Sequence, residues 1–140
     1  MPVQFFFLQQ NISLDNRSKL KAFIETVFKK EKRKLEHLSY IFCSDDYLLE
    51  INRSHLKHDY YTDIISFDLS ESPSAISGEI YISTDRVRDN ANTLSTSIKE
   101  ELHRVIFHGV LHLCGYKDKT KADAQEMRKA EDRCLQRYFK

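Results

Sequence analysis

Residues 97–118 read SIKEELHRVIFHGVLHLCGYKD. Ser97 suits a helix N-cap, with Glu100 three residues on as its capping-box partner, and the spacing predicts a helix from about Ser97 to Cys114. On that helix His108 and His112 are four residues apart, so they share a face with β-carbons about 5–6 Å apart. Both imidazoles can then reach one metal ion at about 2.0–2.1 Å. Gly115 can end the helix in a left-handed conformation that other residues resist, and the reversal returns Asp118 towards a third coordination position. Two imidazoles and a carboxylate leave one position open for water, as a catalytic zinc site requires. The segment therefore predicts one divalent metal ion, Zn2+ by ligand type, held by His108, His112 and Asp118. His103 is five residues before His108, about 140° around the helix, and is expected at the surface or in packing. Cys114, about 200° from His112, points away from the ion.

Elements on either side set the fold class. After the reversal a last helix covers roughly Lys121 to Tyr138, and before residue 97 another runs from about Thr84 to Thr93. Upstream lie four stretches of strand character: Val3–Leu8, Leu35–Cys43, Thr62–Leu69 and Gly78–Ser83. Between the first two, Leu20, Phe23, Ile24, Val27 and Phe28 follow the spacing of one buried helical stripe. Asp45 to about Ser54 reads as a short helix opened by an acidic cap, and Ser70–Ser77 as a loop. Strands early and helices late predict an α+β domain over residues 1–140, with a small mixed four-stranded sheet packed with helices.

Composition narrows the functional classes. The 140 residues are 41% hydrophobic and 31% charged, with a formal net charge of +1, which does not suit nucleic-acid binding through bulk charge alone. The one basic run, Lys29-Lys30-Glu31-Lys32-Arg33-Lys34, is expected as a solvated helix end favourable to the dipole. Cys43, Cys114 and Cys134 form no CxxC pair and predict reduced thiols in a cytoplasmic protein. The start, MPVQFFFLQQ, is too short for a signal-peptide core or a membrane span.

The segment HGVLHLCGYKD resembles the signature HGxLHLxGYDH of the YbeY family of single-strand-specific endoribonucleases, rRNA maturation factors of bacteria. Asn52 followed by His58-Asp59-Tyr60-Tyr61-Thr62-Asp63-Ile64-Ile65-Ser66-Phe67 resembles the family segment N…DxPTDVLSFP. Gly78–Ser83 is similar to its LGDIxIS strand, and Glu126, Met127 and Glu131 to its ExxMxxxE tail. Three positions depart from the pattern. Asp118 replaces the third histidine, Leu56 stands where the family has arginine, and Tyr61 where it has proline. The resemblance implies a metal helix of zincin type and cleavage of phosphodiester bonds in small-subunit rRNA 3′-end maturation and ribosome quality control. Its implied partners are single-stranded RNA, small-subunit rRNA and the ribosome, with neither DNA nor a membrane.

On this reading Lys57 and His58 are expected near the metal, neutralising phosphate in place of the absent arginine. Thr62, Asp63 and Ser66 are expected to border the cleft, and Tyr60 and Tyr61 to offer stacking surfaces for unpaired bases. No proton acceptor is identified, so activation of water and attack by a ribose 2′-hydroxyl both stay open. Two other functions compete. A non-catalytic ribosome-assembly factor would use the metal structurally, which normally needs a fourth protein ligand. A metallopeptidase would need glutamate after the first histidine, where this chain has Gly109.

Overall fold

A computed structural model of the chain describes residues 2–9 and 12–140. β1 (Val3–Phe7) leads through α1 (Arg17–Lys30) to β2 (Leu35–Cys43), then α2 (Asp45–Leu56), β3 (Ile64–Asp68) and β4 (Ile76–Ser83). Helices α3 (Thr84–Thr93), α4 (Ile98–Leu113) and α5 (Lys121–Tyr138) follow. The sheet order is β1-β2-β4-β3, with β1, β2 and β4 parallel and β3 antiparallel to β4. The α+β domain with a mixed four-stranded sheet is thus present, and β4 lies between β2 and its hairpin partner β3. No helix among the described residues is long and apolar enough to cross a membrane.

Alternation along β4 assigns its faces. Ile76, Ile80 and Ile82 are buried, and they join Leu38, Tyr40 and Phe42 of β2 under α1 and α4. On the opposite face α2 supplies Leu48 and Ile51 against Cys43, Ile65, Phe67 and Tyr81. The expected stripe of α1 buries Leu20, Ile24, Val27 and Phe28, with Phe23 partly buried beside them.

Some element ends differ from the sequence reading, for local reasons. Helix α2 runs on to Leu56 and is capped by Ser44, whose Oγ accepts the Tyr47 N–H at 3.1 Å. The expected acidic cap is thereby corrected: Asp45 is in the first turn, and its carboxylate takes the Ser83 hydroxyl at 3.0 Å and the Arg86 guanidinium at 2.7 Å. β3 is shorter than expected at both ends. β4 begins earlier, because the Ile76 N–H still finds the Lys34 carbonyl at 2.8 Å. In α4, Ser97 accepts the Glu100 N–H at 2.9 Å, but the Glu100 carboxylate takes the Thr96 hydroxyl instead of returning to Ser97, so only half of the capping box forms.

Helix α4 is buried around most of its circumference, packing on α1, α3, α5, β3 and β4. Two glycines let it sit this deep. A β-carbon on Gly109 would stand 2.7 Å from Ile80 Cδ1 and 3.2 Å from Ile64 Cδ1. One on Gly78 of β4 would stand 3.0 Å from Leu113 Cδ1 and 3.1 Å from the Phe67 carbonyl oxygen. Helix and strand thus each omit a side chain where the other carries a branched one.

His103 proves to be a packing residue, 2% exposed. Its Nδ1 donates to the Lys99 carbonyl at 2.7 Å, its ring stacks on Tyr138 at 5.3 Å, and its Nε2 has no partner. Burial lowers its pKa, with the Lys99 hydrogen bond acting in the opposite direction.

Two outcomes are expected. Gly109→Ala should destabilise the protein by about 1–2 kcal/mol, overpacking outweighing the gain in helix propensity. In an Ile80→Val background, which removes Cδ1, the loss should shrink by at least about 0.5 kcal/mol in a urea double-mutant cycle; additive changes would refute the contact. His103 takes up a proton more readily when the chain is unfolded, because burial disfavours its charged form in the fold. Its stabilising contribution is complete above about pH 6.5 and declines as pH falls, with a slope of at most about 1.4 kcal/mol per pH unit. Between pH 7.5 and 5.5 the thermal midpoint should therefore fall more for wild type than for His103→Phe.

Candidate active site

The reversal after α4 is a Schellman turn. The Gly115 N–H donates to the His112 carbonyl at 3.1 Å and the Tyr116 N–H to the Leu111 carbonyl at 3.0 Å. Gly115 has φ 109°, which a side chain would strain. Arg33, from the basic run, donates to the Cys114 carbonyl at 3.0 Å, leaving Lys29 and Lys30 as the cations in the last turn of α1. Thr120 then caps α5, its Oγ1 accepting the Asp123 N–H at 3.0 Å. Between turn and cap, Asp118 comes back to α4, with Oδ2 3.4 Å from His108 Nε2.

An open cleft of about 440 Å³ lies here. Its α4 wall carries Glu101, Arg104, Val105, His108 and His112, which the helical repeat brings to one face. The facing wall of α5 carries Ala124, Met127, Arg128 and Glu131. Thr62, Asp63, Ile64 and Ser66, from the entry to β3 and the strand itself, close a third side, and Asp118 completes the lining. Thr62, Asp63 and Ser66 thus do border the cleft. The Asp63 segment is tied down by its carbonyl, which accepts the Ser83 N–H at 2.9 Å, and by its carboxylate, which accepts from Asn90 Nδ2 at 3.4 Å.

A buried carboxylate organises the charges. Glu131 is 5% exposed. Its Oε2 accepts from His108 Nδ1 at 2.6 Å and its Oε1 from Arg104 Nη1 at 3.1 Å, while Arg104 Nη2 reaches Asp132 at 2.8 Å. Burial disfavours the charged His108 ring, but the Glu131 hydrogen bond and the Glu131, Asp118 and Asp63 charges outweigh it and raise the pKa. Burial likewise raises Asp63, against the pull of His108.

This donor set fits a cation. With Nδ1–H given to Glu131, the neutral ring turns its Nε2 lone pair towards the Asp118 carboxylate. Two electron-rich atoms facing each other at 3.4 Å favour a proton or a metal ion between them. The third expected ligand is less closely placed. The His112 ring is exposed and lies parallel to His108, with centroids 6.4 Å apart and planes at 4°. As they stand, no three His, Cys, Asp or Glu side chains among the described residues are arranged to hold an ion. His108, His112 and Asp118 share the cleft, and only the His108–Asp118 pair is in close contact.

Lys57 and His58 do not line the cleft. Lys57 ends α2 with φ 56°, and His58 stacks on Tyr60 at 5.2 Å with Nδ1 2.9 Å from the Tyr60 hydroxyl. The Tyr61 hydroxyl donates to Asp46 at 3.2 Å, so the segment folds back on α2. Sequence reasoning missed Glu101, Arg104 and Arg128. Glu101 and Arg104 were within its reach, since they stand seven and four residues before His108 on the same helical face. Glu131 appeared in the sequence only as part of a resembling tail, with no role.

Arg104→Met should destabilise by roughly 2–4 kcal/mol in chemical denaturation, because it strips a cation from a buried carboxylate. Asp132→Asn, at the exposed end of the same network, should change stability by less than about 1 kcal/mol. Equal losses would contradict the buried role given to Glu131.

Residues 5–139 match the family model described as Endoribonuclease YbeY. The endoribonuclease YbeY of Cytophaga hutchinsonii is 52% identical over 132 residues, covering 94% of this chain and 92% of that protein. That of Flavobacterium johnsoniae is 46% identical over 127 residues, covering 91% of each. The solution structure of a Thermotoga maritima protein aligns with TM-score 0.67 and 26% identity over 98% of this chain and 89% of that one. On a match that spans nearly the whole chain, with relatives covered over about nine-tenths of their own length, this protein belongs to the endoribonuclease YbeY family.

Proposed function

We propose that the protein is a metal-dependent endoribonuclease that cleaves single-stranded RNA, with a divalent ion, zinc by ligand type, held by His108, His112 and Asp118. The observation that carries this is the line Glu131–His108–Asp118, in which a buried carboxylate orients an imidazole whose free nitrogen faces a second carboxylate. When bound, the ion would offset charge on a phosphoryl oxygen and lower the pKa of water. The chain's own residues do the rest. Glu131 keeps His108 in the tautomer with Nε2 free, and Arg104 holds the Glu131 carboxylate in place. Arg128, exposed on the α5 wall, is available to a phosphate.

We further propose that Lys57 and His58 contact phosphates of the strand beyond the cleft, where both are exposed. The biological setting that fits is 3′-end maturation of small-subunit rRNA and ribosome quality control in the cytoplasm. A purely structural metal would call for a fourth protein ligand, and Cys114 instead has Glu31, Arg33 and Cys134 as its charged or polar neighbours. A peptidase would need glutamate at position 109, where even a β-carbon meets Ile80.

Metal analysis of the purified protein, with cleavage assays on single-stranded RNA and casein, tests the proposal. About one ion per chain and cleavage of RNA alone are expected. His112→Ala should lose both, and Glu131→Gln should weaken metal affinity by roughly 10- to 100-fold. Metal without RNA cleavage would replace the nuclease with an assembly role, and casein cleavage would replace it with a peptidase. Lys57→Ala and His58→Ala should each weaken RNA binding and flatten its salt dependence; unchanged binding and cleavage would remove them from the interface.

A further inference from the structure

Glu101 is 5% exposed yet lines the cleft. Among the described residues its carboxylate has no hydrogen-bond or ion-pair partner. Arg104 is committed to Glu131 and Asp132, and Arg128 influences Glu101 only at a distance. Asp63 and Glu131 face it from neighbouring elements and repel its charge. Its oxygens are not among the buried atoms that lack a partner, so they open into the cleft, where a ligand's donors can reach their acceptor positions. Both Glu131 oxygens are already engaged, by Arg104 and His108.

Position narrows the ligand. Glu101 is seven residues before His108 on one helical face, about 10.5 Å along the axis. That is too far to touch a phosphate held at His108, but suits the nucleoside joined to it. An ionised carboxylate only accepts hydrogen bonds, so Glu101 itself takes donor edges. Ile64, Val105 and Met127 provide apolar walls beside it. Among RNA bases, guanine places an imino N–H and an amino N–H side by side, matching the two oxygens of one carboxylate. In a duplex those groups are already paired, and proteins that read base edges in RNA reach them in single strands.

We propose that Glu101 forms the floor of a nucleoside subsite that takes the Watson–Crick edge of an unpaired guanine next to the bond cleaved. This rests on the nuclease reading above, and it supplies a physical reason for a single-strand requirement.

The test compares metal-loaded wild type and Glu101→Gln on unstructured oligonucleotides carrying one guanosine, inosine or adenosine. Inosine keeps the imino N–H and lacks the amino group. Wild type should favour guanosine over adenosine by roughly ten- to a hundredfold in kcat/KM, the span of one bidentate contact, with inosine between them. In Glu101→Gln the guanosine–inosine difference should collapse to within about twofold. Its thermal midpoint should rise, since a charge that Asp63 and Glu131 repel has been removed; a purely structural carboxylate would give a fall. Fluorescence anisotropy with the same oligonucleotides reads the subsite without cleavage. Selective binding of guanosine without cutting would refute the nuclease reading alone. Cutting without discrimination by wild type, or discrimination retained in Glu101→Gln, would overturn the subsite.

Discussion

Helix α4 can occupy its depth only because its backbone and that of β4 approach without intervening side chains. Gly109 leaves room for Ile80 and Ile64, and Gly78 leaves room for Leu113. These reciprocal contacts set the distance between helix and sheet, and with it the distance from His108 to the residues entering β3. A larger residue at 109 would lift the helix and widen the cleft between α4 and Asp63. The same contact removes the position at which a zincin peptidase carries its general base. One packing constraint therefore holds the site together and separates this chain from a protease that shares its histidine spacing.

A second layer of order is electrostatic. Glu131 is buried, which is tolerable because each oxygen has a strong partner, one from Arg104 and one from His108. Both partners come from α4 while the carboxylate comes from α5, so the ion pair also aligns the two cleft walls. Arg104 and Arg128 face Asp63, Glu101, Asp118 and Glu131 across the same cleft, so carboxylates outnumber guanidinium groups and His108 is drawn towards its charged form. A site of this kind favours added positive charge. Asp118 adds to that preference.

The elements read correctly from the sequence are those with strong local signals. β2, α3 and α5 occupy the expected residues because hydrophobic periodicity and polar caps agree there. Ser97 caps α4 as its spacing suggests, and Gly115 turns the chain where a positive φ is needed. Misreadings arose where other partners, distant or local, drew a side chain away from the expected contact. Asp45 looks like a cap, yet its carboxylate is taken by Ser83 and Arg86, some forty residues on. Lys57 and His58 look like cleft cations, yet their segment satisfies its polar groups on α2 and itself.

Local interactions act over a few residues, so the sequence alone was enough to indicate the helical face bearing His108 and His112, the reversal at Gly115, the return of Asp118 and the α+β class. The insertion of β4 between β2 and β3 came from the tertiary structure, since strand order depends on which faces bury together. So did the pairing of Glu131 with His108, 23 positions apart, and the placing of Glu101 on the cleft wall without a hydrogen-bond partner. Burial turns an ordinary glutamate into a group whose charge must be met, and burial belongs to the folded chain as a whole.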